Sequence, residues 1–587
     1  MRQTIFTQIE EGISGGKTAF ILEFNTNDRQ SLLEAGINPT ALHLALATYF
    51  GKKGYHCGLY SSGIGVQELT PPGTSAQGAN PFHRQGQQGA NQSLNLLTPI
   101  LRNKEIKAVL FVQYADLLAP VAEGSVFLQP EQQVVLETLH RWGADDAIRQ
   151  AQNIVILISY EGGVNSLLTR SSVYHSIQVP LPDEPARMEF INLLLDAQNK
   201  GSKRYGALEE GFNPDEAARK SNGLRLIDIE TIFRSRANSA VRREDIQGIK
   251  SNTIREMAGG LVDVVEPIEG FEAIAGLNSV KEYFQFLKWM FQNGSPAVPY
   301  AMILAGVPGA GKSKLCSTLA KELNLPLLIL RNLHGPFVGQ SEANLERVLR
   351  IVESMSPCII LIEEIDQGIG QRGSGPSGDS GVSNRMSQRF WEALGSSQKN
   401  RGKNLWIGTS NRPDLLDTAM LDRFQVVLPF LHPTPKEVAV LLPFIAKQLQ
   451  RELAEDIDLA LISKMPNLQL PTVRGLVEIM TRAAQLADFQ SGIVNSTINH
   501  RHLLTAAQDF KITYDITQHE YIALKAVEMV SFSSLLPWMG LDGKRPDAEI
   551  PSYLQDIVDP DGYVDSTKLT THLRELEQGI YSQRMMR

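Results

Sequence analysis

At 587 residues the chain is too long for one hydrophobic core, so about two to four domains are expected. Apolar residues make up 42% and charged residues 20%, the balance of an ordinary folded protein and not of a disordered one. The net charge of −8 provides no overall attraction for DNA or RNA and argues against a nucleic-acid partner.

Read in order, residues 1–250 open with a strand-like AFILEF (Ala19 to Phe24), a helical stretch from Pro39 to Phe50 and a second strand at His56 to Tyr60. Pro71 to Gln92 is rich in Gly, Gln and Pro and reads as a long mobile loop without core residues. The strands AVLFV (Ala108 to Val112), IVILIS (Ile154 to Ser159) and IQVPLP (Ile177 to Pro182) follow, separated by helical stretches. Alternation of this kind predicts a parallel α/β layer over 1–182, with a helical unit over 183–250. A second block repeats the order: AMILAG (Ala301 to Gly306), PLLIL (Pro326 to Leu330), CIILI (Cys358 to Ile362), LWIGT (Leu405 to Thr409) and QVVLPF (Gln425 to Phe430). It reads as a large α/β subdomain over 251–434, a helical subdomain over 435–512 and a helical extension over 513–587. IQVPLPDEPARMEFI and VVLPFLHPTPKEVAVLL are parallel passages, so the blocks read as divergent copies of one unit.

Gly306-Val307-Pro308-Gly309-Ala310-Gly311-Lys312-Ser313 matches G-x-x-x-x-G-K-[ST] in full, after an apolar strand and before an amphipathic helix. Its glycines let backbone N–H groups turn toward a phosphate, and the helix N-terminus adds a favourable dipole. Lys312 would neutralise phosphate oxygens and Ser313 would offer its hydroxyl to Mg²⁺. Glu11 to Thr18 is a decoy: Glu11 occupies the first glycine position and the segment runs into a strand, so it reads as a turn. The strand Cys358 to Ile362 ends in Glu363-Glu364, placing one acid by the metal and the next against an attacking water. Glu363 stands where Asp is usual; Glu364 is the general-base candidate.

Across 265–510 these features resemble the AAA ATPases. The resemblance implies a P-loop NTPase sheet flanked by helices with a helical lid, ATP and Mg²⁺ as cofactors, and ATP hydrolysis. FEAIAGLNSVKEYF (Phe271 to Phe284) is similar to the family's opening segment, where backbone around Ile274, Ala275 and Gly276 holds adenine. Lys314 belongs to the same binding set, as the residue that follows Ser313. In GTSNRPDLLDTAMLDRF, Asn411 matches the polar sensor and Arg423 the arginine finger that reaches a neighbouring subunit. The commonest members carry two arginines there and this chain one, so a surface salt bridge stays an alternative for Arg423. Arg474 falls where many AAA+ proteins place a second sensor; an ordinary helix-start arginine is the other reading. Phe337-Val338-Gly339 resembles the pore loop that grips polypeptide, against the plainer reading of a buried Phe at a helix start. Arg385 resembles an arginine that signals between subunits. The first block resembles a degenerate AAA module, with Gln113-Tyr114 where two acids are needed. Its layout resembles cyanobacterial and chloroplast AAA proteins.

The expected function is an oligomeric ring, hexameric by resemblance, that remodels, unfolds or disassembles a threaded protein substrate. A nucleotide-gated scaffold and a nucleic-acid motor are the competing classes. Asp559 to Asp565 is half of a calcium loop, but Ile557 and Lys568 occupy its end positions, so calcium is rejected. Cys57, Cys316 and Cys358 lie far apart, without disulfide or zinc spacing, which fits a reducing compartment such as cytosol or plastid stroma. No apolar run reaches membrane-spanning length, and MRQTIFTQIEEG has no signal core.

Overall fold

The computed structural model describes residues 5–32, 36–71, 73–83, 89–120, 128–160, 163–169, 172–331, 340–368, 389–390, 392, 394–395, 402–416 and 421–585. Contacts divide the chain into two units, Met1–Lys250 and Ser251–Arg587.

In the first unit the strands are β1 (Ala19–Phe24), β2 (Arg29–Leu32), β3 (Ile37–Ala41), β4 (His56–Ser61), β5 (Gly65–Leu69), β6 (Ala108–Gln113), β7 (Ile154–Ile158) and β8 (His175–Val179). Six form one sheet in the order β5-β4-β6-β7-β1-β8, parallel except for the edge strand β5, while β2 and β3 pair as a separate hairpin. Successive residues of a strand feed opposite faces. Ile21, Leu110 and Leu157 meet Leu97, Leu139 and Trp142 from helices Ala90–Arg102 and Pro130–Ala144. Leu22, Phe111 and Ile156 meet Ile9, Leu46 and Phe50 from helices Ile5–Ser14 and Leu42–Lys52. Burial on both faces is why these strands read as unbroken apolar runs.

Two local expectations change. The stretch after Pro71 is anchored to the core: Phe82 is fully buried against Gly58, where a Cβ would lie 2.3 Å from its ring. Asn80 Nδ2 donates to the Cys57 carbonyl at 3.2 Å. A single aromatic is enough to hold a polar loop down when a glycine opposite makes room for it. The first half of the decoy Glu11 to Thr18 is the end of helix Ile5–Ser14, and Gly16 at φ 81° lies in the turn that closes it. Helices Glu184–Asn199, Pro214–Lys220 and Leu226–Ser235 build their own core around Phe190, Leu194, Ile229 and Phe233. Asp28, deeply buried after β1, accepts from the Ile227 and Arg29 amides, which ties this helical part to the sheet.

In the second unit β9 (Val262–Val265), β10 (Ala301–Gly306), β11 (Leu327–Leu330), β12 (Cys358–Ile362), β13 (Asn404–Ser410) and β14 (Val426–Phe430) form a sheet ordered β14-β10-β13-β12-β11-β9. Only β9 is antiparallel. The five-strand parallel cores, β8-β1-β7-β6-β4 and β14-β10-β13-β12-β11, have the same order and the same direction of pairing. A lid of helices Pro435–Gln448, Leu459–Ser463, Val473–Ser491 and His500–Asp509 packs around Leu442, Ile479, Met480 and Leu503. Helix Ile516–Glu528 lies on β10 and β14, and helix Ser566–Met585 lies on it in turn. Asp565 caps that last helix, accepting from the Thr567 amide at 2.9 Å, and Asp559 accepts from the Tyr563 amide at 2.8 Å. Those acids of the false calcium loop thus have local backbone roles.

Candidate nucleotide site

The turn after β10 is shaped by glycines in left-handed backbone: Gly306 at φ 144°, Gly309 at 71° and Gly311 at 91°. A Cβ on Gly306 would fall 2.0 Å from the Phe430 carbonyl oxygen, to which the Val307 amide donates at 3.0 Å. No side chain fits there, so the loop can hug β14 only with glycine. Pro308 and Ala310 complete the turn, and Gly311 leads into helix Lys312–Leu323, leaving that helix's first amides directed at the turn.

Lys312 is almost fully buried, and its ammonium donates to the Gly306 and Val307 carbonyls at 2.9 and 2.8 Å. Burial lowers its pKa to about 8, against the upward pull of Asp366 and Glu364. Ser313 Oγ donates to Glu363 Oε1 at 2.8 Å, bringing hydroxyl and carboxylate oxygens together at the helix start. The other Glu363 oxygen lies 3.5 Å from Arg331 Nη1. Glu364 has left-handed backbone (φ 49°), its amide donates to Thr409 Oγ1 at 3.2 Å, and Asn411 Nδ2 donates to its Oε1 at 3.2 Å. Strands β12 and β13 are adjacent and parallel, so their C-terminal ends deliver Glu364 and Asn411 side by side. Lys314 is exposed and pairs with Glu269.

Lid residues reach the same loop. The Arg474 amide donates to the Gly309 carbonyl at 3.3 Å and its Cβ borders Gly309, while Thr472 caps helix Val473–Ser491. Ile274, Ala275 and Gly276 line a cavity of about 390 Å³ together with Gly311, Lys314 and lid residues Leu441 and Ile445. That size falls within the range of small-molecule sites. Lys281 reaches over to the Ile274 carbonyl, and Gln448 Nε2 donates to the Ala273 carbonyl at 3.2 Å. Arg423 is exposed, with Nη1 3.3 Å from where a Cβ of Gly395 would stand. Phe337, Val338, Gly339 and Arg385 lie outside the described residues.

These residues fit a nucleotide with magnesium. A turn whose glycines hold left-handed backbone, a buried ammonium beside it and a hydroxyl–carboxylate pair supply what triphosphate and a hard cation require. Sequence reasoning assigned no part to Asp366. It is 1% exposed and, among the described residues, neither carboxylate oxygen has a hydrogen-bond partner. Its place three residues after Glu363 was the available signal. The extension residues Arg545, Asp547 and Glu549 on the cavity wall carried none.

The equivalent corner of the first unit is filled differently. β6 ends in Gln113 and Tyr114, and Tyr114 has the same left-handed backbone (φ 54°) as Glu364. By strand register Tyr160 stands where Asn411 does. The Tyr114 and Tyr160 rings pack at 4.6 Å, and Gln113 Nε2 donates to the Tyr160 hydroxyl at 2.7 Å. After β1, where a phosphate turn would lie, the chain enters the β2–β3 hairpin.

Residues 302–431 match the model of the ATPase family associated with various cellular activities (AAA), and residues 6–180 match the AAA+ chaperone N-terminal Rossmann-like domain. A Cell division cycle protein 48 homolog from Archaeoglobus fulgidus is 24% identical over 392 residues, covering 60% of this chain and 51% of the relative. The AAA domain-containing protein ycf46 of Guillardia theta is 29% identical over 216 residues, 35% of this chain and 42% of the relative. The chain spans about half the length of these curated relatives or less. No helix among the described residues is long and apolar enough to cross a membrane.

Proposed function

From a chain whose residues 302–431 match the AAA ATPase family and whose residues 6–180 match the AAA+ chaperone N-terminal domain, we propose an ATP-hydrolysing motor that works as a homo-oligomeric ring on a protein substrate. The observation that carries the reading is the meeting of Lys312, the Ser313–Glu363 pair and the Glu364–Asn411 pair at the ends of three adjacent strands.

In this reading the phosphates lie along the Gly306–Gly311 turn, with Lys312 turned from its carbonyl partners to phosphate oxygens. Ser313 and Glu363 hold Mg²⁺, which offsets the negative charge of the triphosphate when bound. Asn411 keeps the Glu364 carboxylate aimed at a water. Glu364 takes that water's proton as its oxygen bonds to the γ-phosphorus and the bond to the β-phosphate oxygen breaks, giving ADP and phosphate. Arg423 would serve a neighbouring copy's site, and its exposure supports that use. Phe337-Val338-Gly339 would grip the polypeptide, and a hexamer is the ring size we propose. Cys57, Cys316 and Cys358 are buried and none forms a disulfide, which supports a reducing location such as cytosol or plastid stroma.

The test is a Glu364→Gln protein, which should bind ATP, lose hydrolysis and retain its protein substrate on purification. Loss of nine-tenths or more of ATP affinity is expected for Lys312→Ala; unchanged affinity and turnover in that variant would remove the proposal. A scaffold reading draws on Arg331, whose contact with Glu363 competes with metal binding, and predicts tight ATP binding with turnover near zero.

A further inference from the structure

The cavity that runs from the phosphate turn past Ile274–Gly276 has a wall that belongs to no part of the family module. Pro537, Arg545, Asp547, Ala548, Glu549 and Pro551 of the C-terminal extension line it. Residues 302–431 define the family match, so this wall lies more than a hundred positions beyond it. We propose that the segment 537–551 forms the outer side of the base-and-ribose subsite and holds the nucleotide in place.

This inference rests on the nucleotide reading above and adds a subsite to it. The segment is fixed at both ends. At one end Trp538 is fully buried, with its indole N–H donating to the Gly562 carbonyl at 2.8 Å. Arg545 is the central clamp: its amide donates to the Trp538 carbonyl at 2.9 Å and Nε to the Met539 carbonyl at 2.8 Å. Its Nη2 pairs with Glu282, on helix Asn278–Gln292, which opens directly after Ile274–Gly276. At the other end Glu549 Oε2 accepts the Lys436 amide at 3.2 Å, in the first turn of lid helix Pro435–Gln448. The segment therefore spans from the opening helix to the lid helix, the two elements between which a base would lie. A base inserted there contacts backbone on the Ile274 side and the extension on the other.

Such a wall slows escape of the ligand, since the segment must release the Arg545–Glu282 pair before the base end is free. Arg545 is thus a positioning residue, acting through the placement of 537–551. The geometry also links the extension to the nucleotide: helix Ile516–Glu528 lies on β10, the strand that feeds the phosphate turn.

The experiment measures dissociation of unlabelled ADP from the full-length protein by chase, in the presence of Mg²⁺. Arg545→Ala should raise the off-rate roughly tenfold, the factor corresponding to loss of about 1.4 kcal/mol from one charge-assisted interaction. Arg545→Lys should restore part of the difference. In the unmodified protein, amide exchange across 537–551 should slow on adding ADP, a readout that stands even where Arg545→Ala fails to fold. An off-rate within twofold of the parent in folded Arg545→Ala overturns the proposal, as does exchange across 537–551 that ignores ADP. If the unmodified protein takes up no ADP, the nucleotide reading itself falls; if uptake depends on Lys312 while the extension is indifferent, only the subsite is lost.

Discussion

Asn411 Nδ2 lies 3.2 Å from Glu364 Oε1, each residue just beyond the C-terminal end of adjacent strands β13 and β12. The amide donates a hydrogen bond to one carboxylate oxygen, and in the proposed mechanism the carboxylate takes a proton from water. Glu364→Gln should lower turnover by about 10²–10⁴, the range of general-base catalysis, with ATP affinity retained. Asn411→Ala should give a smaller loss, because the carboxylate remains and only its aim is relaxed. Single-turnover hydrolysis with prebound ATP separates these from binding defects.

Lys312 makes binding pH-dependent in a definite direction. Burial sets its pKa to about 8, so in the free protein the ammonium loses its proton as pH rises through that value. Phosphate favours the ammonium and draws the proton back. Below pH 8 binding should take up little proton through this group. Near pH 8.5 it should take up a fraction of one, and affinity should fall as pH climbs. For folding the sign is also fixed: the buried cation is a cost present below about 8 and relieved as pH rises toward the ordinary lysine value of 10.5. Calorimetric titration with ADP in buffers of different ionisation enthalpy measures the uptake.

Asp366 is one of the carboxylates that hold the Lys312 charge in place. Asp366→Asn should therefore shift the decline of ADP affinity to lower pH, with the fold retained, since the amide matches the carboxyl in shape. An affinity profile that does not move would show that Asp366 has no electrical influence on the site.

Gly306 and Gly311 should respond differently to alanine. At Gly306 the methyl would meet the Phe430 carbonyl at 2.0 Å, so β10 and β14 must part. At Gly311 nothing lies within 4 Å and only the backbone angle resists. Gly311→Ala should cost about 1–2 kcal/mol, the left-handed penalty for a residue bearing a Cβ, and Gly306→Ala distinctly more. Thermal melts of the two proteins without nucleotide compare them.

In the first unit, burial raises the Asp28 carboxyl to about 6. A carboxyl whose folded pKa exceeds its unfolded value of 3.8 binds protons more readily when folded, so its cost is full above about 6 and disappears as pH falls toward 3.8. Acidification from pH 7 to 5 should strengthen the first unit through this group, and Asp28→Asn should remove that slope. Cys57 is the one cysteine of residues 1–250 and is buried, so its labelling rate in urea reports opening there.

The parallel strands were legible because burial on both faces demands uninterrupted Val, Ile and Leu, as in Ile154–Ile158. β5 (GVQEL) and β9 (VDVV) sit at sheet edges, where Gln67, Glu68 and Asp263 can meet solvent or ionic partners, and so they gave no such signal. The phosphate turn was legible because backbone geometry there admits few residues: Gly306 has no substitute. Arg545 was not, since its importance comes from Glu282, 263 positions away, and no local pattern encodes that meeting. Phe82 shows the same limit on a smaller scale, being one aromatic in a polar stretch whose partner is a bare backbone at Gly58.

The two tyrosines packed at the end of β6 and β7 set a rule for anyone wishing to revive the first module. Installing acids at Gln113 and Tyr114, and asparagine at Tyr160, would copy the side chains of Glu363, Glu364 and Asn411 yet supply no glycine turn like that after β10, because the chain beyond β1 folds into a hairpin. Resurrection there is a matter of rebuilding backbone, and point substitution alone would yield an ornament.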